Sequence, residues 1–108
     1  MNDRELLELA AKAAGYRVWV KEVTVQIWHP NTEWTTWNPL TYDGDALRLA
    51  VSLRLSPMMR TLGCDTTDLN GFAGAYEKWG GDPYAATRRA IVRAAAEIGR
   101  QMQEGGAA

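Results

Sequence analysis

The spacing of hydrophobic residues changes twice along the chain, and each spacing predicts a different kind of element. In residues 3–14 apolar side chains recur every three or four positions, and charged side chains fill many of the other positions. This is the pattern of an amphipathic helix on a surface. Asn2 or Asp3 can cap the start of this helix, and Gly15 can end it.

After this helix the spacing becomes two, as expected for strands with one buried face. Residues 18–21 and 23–27 alternate valine and isoleucine with polar or aromatic residues. A third, short strand at residues 34–37 can pair back across the proline-containing turn at residues 30–32. Together the three strands predict an antiparallel meander.

A second helix is predicted at residues 45–53, with an Asp-Gly-Asp turn at residues 43–45 supplying its cap. Its apolar arc is broad, so we expect it to be the more buried helix. The pattern is weak after this helix. We expect one or two poor strands there, at residues 58–62 and 72–76, joined by a polar loop at residues 64–70.

The last helix has the clearest start. Asp82 is placed as its N-cap and Pro83 as its first residue, and an alanine-rich run continues to about Met102. The side chains that share its apolar face, and should cover the sheet, are Tyr84, Ile91, Ala95, Ile98 and Met102. The arginines on the other side, which should face solvent, are Arg89, Arg93 and Arg100. Residues 104–108 are expected to be a flexible tail.

These elements predict one α+β domain over residues 1–108, with three helices and an antiparallel sheet of three to five strands. A chain of 108 residues has the commonest size for a single hydrophobic core. Its formal net charge of -1 gives no global electrostatic argument for nucleic acid as a partner. No apolar run reaches the roughly 18 to 20 residues of a membrane span, so we expect no membrane partner.

Residues suited to catalysis or metal binding are few and scattered along the sequence. His29 and Cys64 are the only histidine and the only cysteine, which leaves no cluster for a zinc site. The sequence shows no nucleophile with a nearby base, no nucleotide-binding glycine pattern and no complete calcium loop. We therefore expect no catalytic residue, no metal and no cofactor. A single cysteine, and first residues unlike those of a signal peptide, favour a reducing cytoplasm.

The most informative segment is residues 28–39, which contain three of the five tryptophans. Indole buries a large area at low entropic cost, so Trp28, Trp34 and Trp37 could contact a base, a sugar or a protein, or could pack in the core. We expect Trp37 to be mostly buried beneath the second helix and Trp34 to be partly exposed. Arg88 stands near the N-terminal turn of the last helix, where backbone amides favour anions. The candidate binding residues are Trp34, Trp37, Tyr42 and Arg88.

Three segments of the sequence carry a family resemblance. They are residues 4–15 (RELLELAAKAAG), residues 37–50 with the motifs WNPL and GDALRLA, and residues 81–91 (GDPYAATRRAI). Together they resemble the phage ABA sandwich domain, a family of small uncharacterised proteins of tailed phages and prophages. The resemblance implies an α/β/α sandwich, a phage or prophage origin and expression in a bacterial cytoplasm. It implies no catalytic residues, and residues 56–78 depart most from the family pattern.

The leading interpretation is a non-enzymatic phage or prophage protein that modulates a host process by contact with a host protein, for instance by inhibiting bacterial immunity. The alternative is a module that binds or sequesters a nucleotide signal, with a tryptophan on the base and arginines on the phosphate. A small hydrolase is a third interpretation. A pocket with a tryptophan and two arginines would favour the ligand, whereas an exposed flat apolar patch would favour a protein. A homodimer is left open.

Overall fold

A helix, three strands, a second helix, three more strands and a final helix follow one another along the chain. The computed structural model describes residues 2–21, 24–29 and 32–106. The elements in these residues are α1 (Asp3–Ala13), β1 (Arg17–Lys21), β2 (Thr24–His29), β3 (Thr32–Thr36), α2 (Asp43–Leu53), β4 (Ser56–Met59), β5 (Gly63–Thr67), β6 (Gly74–Lys78) and α3 (Pro83–Gly106). None of the helices in this part of the chain is long and apolar enough to cross a membrane.

The strands of the described residues form two separate antiparallel sheets. β1, β2 and β3 pair in that order in the N-terminal sheet, and β4, β5 and β6 pair in that order in the C-terminal sheet. The predicted α+β class, with three helices and antiparallel pairing in one compact domain, is confirmed. So is the meander between residues 18 and 37, apart from residues 22, 23, 30 and 31, which lie outside the described residues. The six strands divide between two sheets, where the sequence predicted one sheet of three to five.

The C-terminal sheet occupies the segment where the sequence predicted one or two poor strands. Its central strand, β5, lies largely inside the predicted loop at residues 64–70, so that prediction is wrong. Cys64 and Thr66 point inward from β5 and have no exposed surface. Such small side chains fit beside α3, which packs closely on this strand. They do not give the hydrophobic alternation by which a strand is recognised in a sequence.

The core is organised around α3, which packs against α1, α2 and the C-terminal sheet. α1 in turn packs against β1 and β2, so α1 and α3 connect the two sheets. A Cβ atom built at Gly99 in α3 would lie only 2.1 Å from the backbone oxygen of Leu9 in α1. The two helix backbones therefore touch at this point. The buried alanines of the two helices are Ala10 and Ala11 on α1 and Ala86, Ala90, Ala94, Ala95 and Ala96 on α3.

α2 differs from its prediction in its cap and in its burial. It begins at Asp43, and the tyrosine before it makes no side-chain capping bond. The predicted aspartate cap is therefore wrong, and Asp45 Oδ2 instead accepts a hydrogen bond from the backbone N–H of Asn38 at 3.0 Å. α2 is also not the more buried helix. Among the described elements α3 is the one that packs on α2 extensively, and the apolar residues Leu47 and Val51 remain 65% and 66% exposed.

The predicted start of α3 is confirmed, because Asp82 Oδ1 accepts hydrogen bonds from two backbone N–H groups of the first turn, at 3.0 and 3.2 Å. The helix ends at Gly106, beyond the end predicted near Met102. Residues 104–106 of the expected flexible tail are therefore helical. Residues 107 and 108 lie outside the described residues.

The predicted buried face of α3 is right in the middle of the helix and wrong at its ends. Ile91 and Ala95 are buried, whereas Tyr84 and Met102 are 71% and 46% exposed. A helix of 24 residues is about 36 Å long, close to the 39 Å longest extent of the molecule. The side chains of Tyr84 and Met102, near the two ends of this long helix, therefore remain partly in solvent while its middle is buried.

Replacing Gly99 with alanine is expected to destabilise the protein by about 2 kcal/mol, because the added methyl group would collide with the Leu9 carbonyl and force the helices apart. At an open helix position the same change stabilises by up to about 1 kcal/mol. Gly105, also in α3, has nothing within 4 Å of an added Cβ, so Gly105→Ala is the matched control. Urea unfolding measures both variants. Equal midpoints would contradict the close contact between α1 and α3.

Candidate functional site

One face of the N-terminal sheet points away from the core and is rich in tryptophan. In β1 the inward side chains are Val18 and Val20, and the exposed side chains alternate with them. The strand register places the outward residues of β2 and β3 next to those of β1. We call this surface the tryptophan face. Its described residues are Arg17, Trp19, Lys21, Thr24, Gln26, Trp28, Trp34 and Thr36.

Two indoles from opposite edges of the sheet meet on this face. Trp19 on β1 lies opposite Gln26 on β2, and Trp34 reaches toward it from β3. Their ring centroids are 6.5 Å apart in an edge-to-face arrangement, and the two residues are 51% and 43% exposed. On the same face the guanidinium carbon of Arg17 lies 5.6 Å from the ring centroid of Trp28, within the range of a cation–π interaction.

A shallow hollow of about 540 Å³ runs between Trp19 and Trp34. An antiparallel sheet with one solvated face normally shows polar side chains on that face. Here a large part of two indoles is left in water, although burying apolar surface is favourable by about 25 cal/mol per Å². The tryptophan face is therefore well suited to be covered by a partner.

Trp34 and Trp37 lie in opposite environments. Trp34 belongs to the tryptophan face, whereas Trp37 is 4% exposed and packs edge-on against Tyr16, with ring centroids 5.8 Å apart. The expected burial of Trp37 and partial exposure of Trp34 are confirmed. Trp37 supports the corner between β3 and α2 and leaves almost no indole surface for a partner, so the structure places it in the core and not on the candidate surface.

Arg88 is held at this corner by bonds within the protein. Its side chain is only 15% exposed. Its Nε donates to the backbone oxygen of Leu40 at 2.8 Å, and a terminal nitrogen donates to Asp43 Oδ1 at 2.7 Å. These bonds join α3 to the start of α2 and the segment before it. The guanidinium is therefore already hydrogen-bonded within the protein. Tyr42, the residue before Asp43, is 59% exposed.

Trp19 and Arg17 are not among the candidates predicted from the sequence. The candidate tryptophans were both drawn from one aromatic segment, whereas the tryptophan face is assembled from three strands. Trp19 stands between Val18 and Val20, so alternation with a period of two already places it on the side opposite the core. That signal could have identified it.

A second concave surface lies between α2, β4 and the start of α3, as a groove of about 360 Å³. Its main apolar lining residues are Leu47, Pro57, Met59, Trp79, Tyr84 and Ile91. The indole nitrogen of Trp79 donates to the backbone oxygen of Arg60 at 3.0 Å. Arg88, the cation in the lining, is already paired with Asp43. The groove therefore suits an apolar group better than a phosphate.

Two arginines of α3 predicted to face solvent are engaged by neighbouring elements. Arg93 donates to Glu77 Oε2 on β6 at 2.6 Å, and Arg89 donates to Asp3 Oδ1 on α1 at 3.0 Å. Both arginines line a hollow of about 510 Å³ that also contains Glu77. Because acidic side chains already neutralise them, this hollow has two arginines but little free positive charge for a phosphate.

Few side chains suited to catalysis or metal binding lie close together among the described residues. No set of three or more histidine, cysteine, aspartate or glutamate residues among them could hold a metal ion. Cys64 is buried, with Thr66 Oγ1 3.6 Å from its sulfur. The hydrogen bond from Arg100 holds the pKa of Glu97 below its usual value, whereas a carboxyl group that transfers protons at neutral pH needs a raised pKa.

These features define an α+β domain in which closely packed helices join two small antiparallel sheets, one of them with an exposed aromatic face. The chain matches no model of a known protein family, no curated protein and no solved structure.

Trp37→Ala is expected to destabilise the protein by about 3 to 5 kcal/mol, because it removes a large buried side chain from the core. Trp34→Ala should cost only about 1 kcal/mol, the size of an aromatic pair on a sheet surface. Guanidinium chloride unfolding, followed by circular dichroism, compares the two variants. A cost for Trp34→Ala as large as that for Trp37→Ala would show that Trp34 belongs to the core.

Proposed function

We propose that this is a non-enzymatic protein that acts by contact with another protein through the tryptophan face. The observation that carries the proposal is the pair Trp19 and Trp34, whose rings meet 6.5 Å apart and remain 51% and 43% exposed. Binding energy at protein interfaces is concentrated in tryptophan, tyrosine and arginine residues. The tryptophan face combines three tryptophans with Arg17 on one side of a sheet.

The shape of the tryptophan face favours a large partner. Sites for small molecules are concave and bury most of the ligand, whereas the hollow between Trp19 and Trp34 is shallow and open. The sheet behind it is fixed, because Val25 and neighbouring inward residues pack into the core against α1. An aromatic side chain on a fixed strand loses little conformational entropy when a partner covers it.

The proposed partner is a protein of a bacterial host. The resemblance of residues 4–15, 37–50 and 81–91 to the phage ABA sandwich domain supports a phage or prophage origin. A small phage protein with few groups that carry chemistry can alter a host process by binding, for instance by inhibiting a component of bacterial immunity. Its place of action would be the bacterial cytoplasm.

The groove between α2, β4 and α3 favours a second candidate function, the binding of a small ligand. Its volume of about 360 Å³ lies in the range of small-molecule sites. It contains Trp79, but its arginine, Arg88, is bound to Leu40 and Asp43. A phosphate would have to displace those bonds, so the groove supports an apolar ligand more than a nucleotide.

Trp34→Ala is expected to abolish capture of the partner while the protein remains folded. Wild type and variant are purified from the same bacterial host and examined by native mass spectrometry, which detects a co-purified protein directly. Loss of a central indole weakens an interface by about 2 kcal/mol, or roughly 30-fold. The complex seen with the wild-type protein should therefore be missing from the variant.

Phe72→Ala is the matched control for this experiment. It removes an aromatic side chain that is 77% exposed, in the loop between β5 and β6, and it should leave the partner bound. Circular dichroism melts confirm that both variants are folded. A protein partner that persists with Trp34→Ala would contradict the proposal. A bound small molecule in place of a protein, lost on Tyr84→Ala, would support the groove as the functional site.

A further inference from the structure

The charged residues of the tryptophan face all have the same sign. Its cations are Arg17 and Lys21, and none of its described residues is acidic. Glu33 on β3 precedes Trp34 and therefore points to the opposite side of the sheet. The whole chain has 12 basic and 13 acidic residues, so the positive face does not follow from the composition.

Arg17 and Lys21 form no ion pair with the described residues. Most other arginines are paired with acidic side chains, for example Arg88, Arg89 and Arg93. Arg17 instead lies over the ring of Trp28. A guanidinium held in this way keeps its N–H donors available at the edge of the ring. Among the described residues, no acidic side chain pairs with these two cations, which lie next to the apolar surface of the tryptophan face.

We infer that the partner presents an apolar centre with an acidic rim to the tryptophan face. This inference rests on the proposed function and adds the chemistry of the partner. Apolar side chains of the partner cover Trp19 and Trp34, and its carboxylates pair with Arg17 and Lys21. Protein interfaces have this anatomy of an apolar core and a polar rim, with complementary charges across them. A carboxylate can also accept two parallel hydrogen bonds from one guanidinium.

The same charges argue against a second copy of this chain as the occupant. A twofold contact between two tryptophan faces would place the same patch against itself. Arg17 and Lys21 of one copy would then approach the cations of the other, without an acidic residue among the described members of either face. Like charges placed opposite each other in this way are destabilising.

Single-stranded nucleic acid is also acidic, and its bases stack on aromatic side chains. Its affinity depends on several phosphate contacts, whereas the tryptophan face offers two cations in a chain of net charge -1. An acidic protein surface needs only one or two charge pairs at the rim, so it fits the face better. Binding of oligothymidine is therefore tested as the alternative to an acidic protein.

A displayed peptide library is selected for binding to the full chain, and peptides that also bind the Trp34→Ala variant are removed. The charge of the remaining peptides shows which partner charge the tryptophan face prefers. Peptides whose binding needs Trp34 should be rich in aspartate and glutamate around an apolar residue, and salt should weaken their binding. The double variant Arg17→Glu/Lys21→Glu should bind these peptides about tenfold more weakly and select basic peptides instead. Lys78→Glu reverses an exposed charge on β6 and should behave as the wild type does.

The results distinguish the inference of an acidic partner from the proposed function on which it rests. Peptides that need Trp34 but have no acidic bias would overturn the inference and leave the proposed function standing. A library that yields no peptide dependent on Trp34 would overturn both. Binding of oligothymidine that is lost in Trp34→Ala would replace the acidic protein by nucleic acid. A dimer in sedimentation velocity that Trp34→Ala dissociates would place a second copy on this face and overturn the inference.

Discussion

The contact between α1 and α3 at Gly99 sets the arrangement of the rest of the molecule. The two backbones are so close that a methyl group at this position would lie 2.1 Å from the Leu9 oxygen. Such an approach needs small side chains, and the buried residues of both helices are largely alanines. Each three-stranded sheet needs an element that covers its apolar face. α1 covers the N-terminal sheet and α3 covers the C-terminal sheet, so this pair of helices holds both sheets in place.

Close packing of small residues between α1 and α3 leaves little room there for aromatic rings, although Trp37 is buried at the corner between β3 and α2. The largest fully buried side chains are Leu49, Val92, Thr66, Pro39 and Cys64. Aromatic residues usually supply much of the buried area of a core, yet Trp19 and Trp34 lie on the outer face of a sheet. The fold does not use them to fill its interior. Their exposed position supports the proposed contact with a partner.

The sequence predicted the elements that depend on local chemistry and missed those that depend on packing. The spacing in α1, the alternation in the N-terminal sheet and the cap at Asp82 are each contained in neighbouring residues. β5 depends on pairing with β4 and β6 and on burial of the small side chains Cys64 and Thr66 beside α3. The candidate site was predictable only in part for the same reason. Trp34 stands in a conspicuous segment, but its contact with Trp19 exists only once three strands have paired.

Trp34 and Trp37 show how one short segment serves both the core and the surface. They are three residues apart, and an odd separation puts two side chains on opposite faces of an extended strand. The N–H of Trp37 donates to the backbone oxygen of Val25 at 2.9 Å, so the contact of this segment with β2 continues to Trp37. Burial of Trp37 fixes the strand end that presents Trp34 to solvent. The partner proposed for this face would bind an indole that is already ordered, so that little further entropy would be lost in holding it in place.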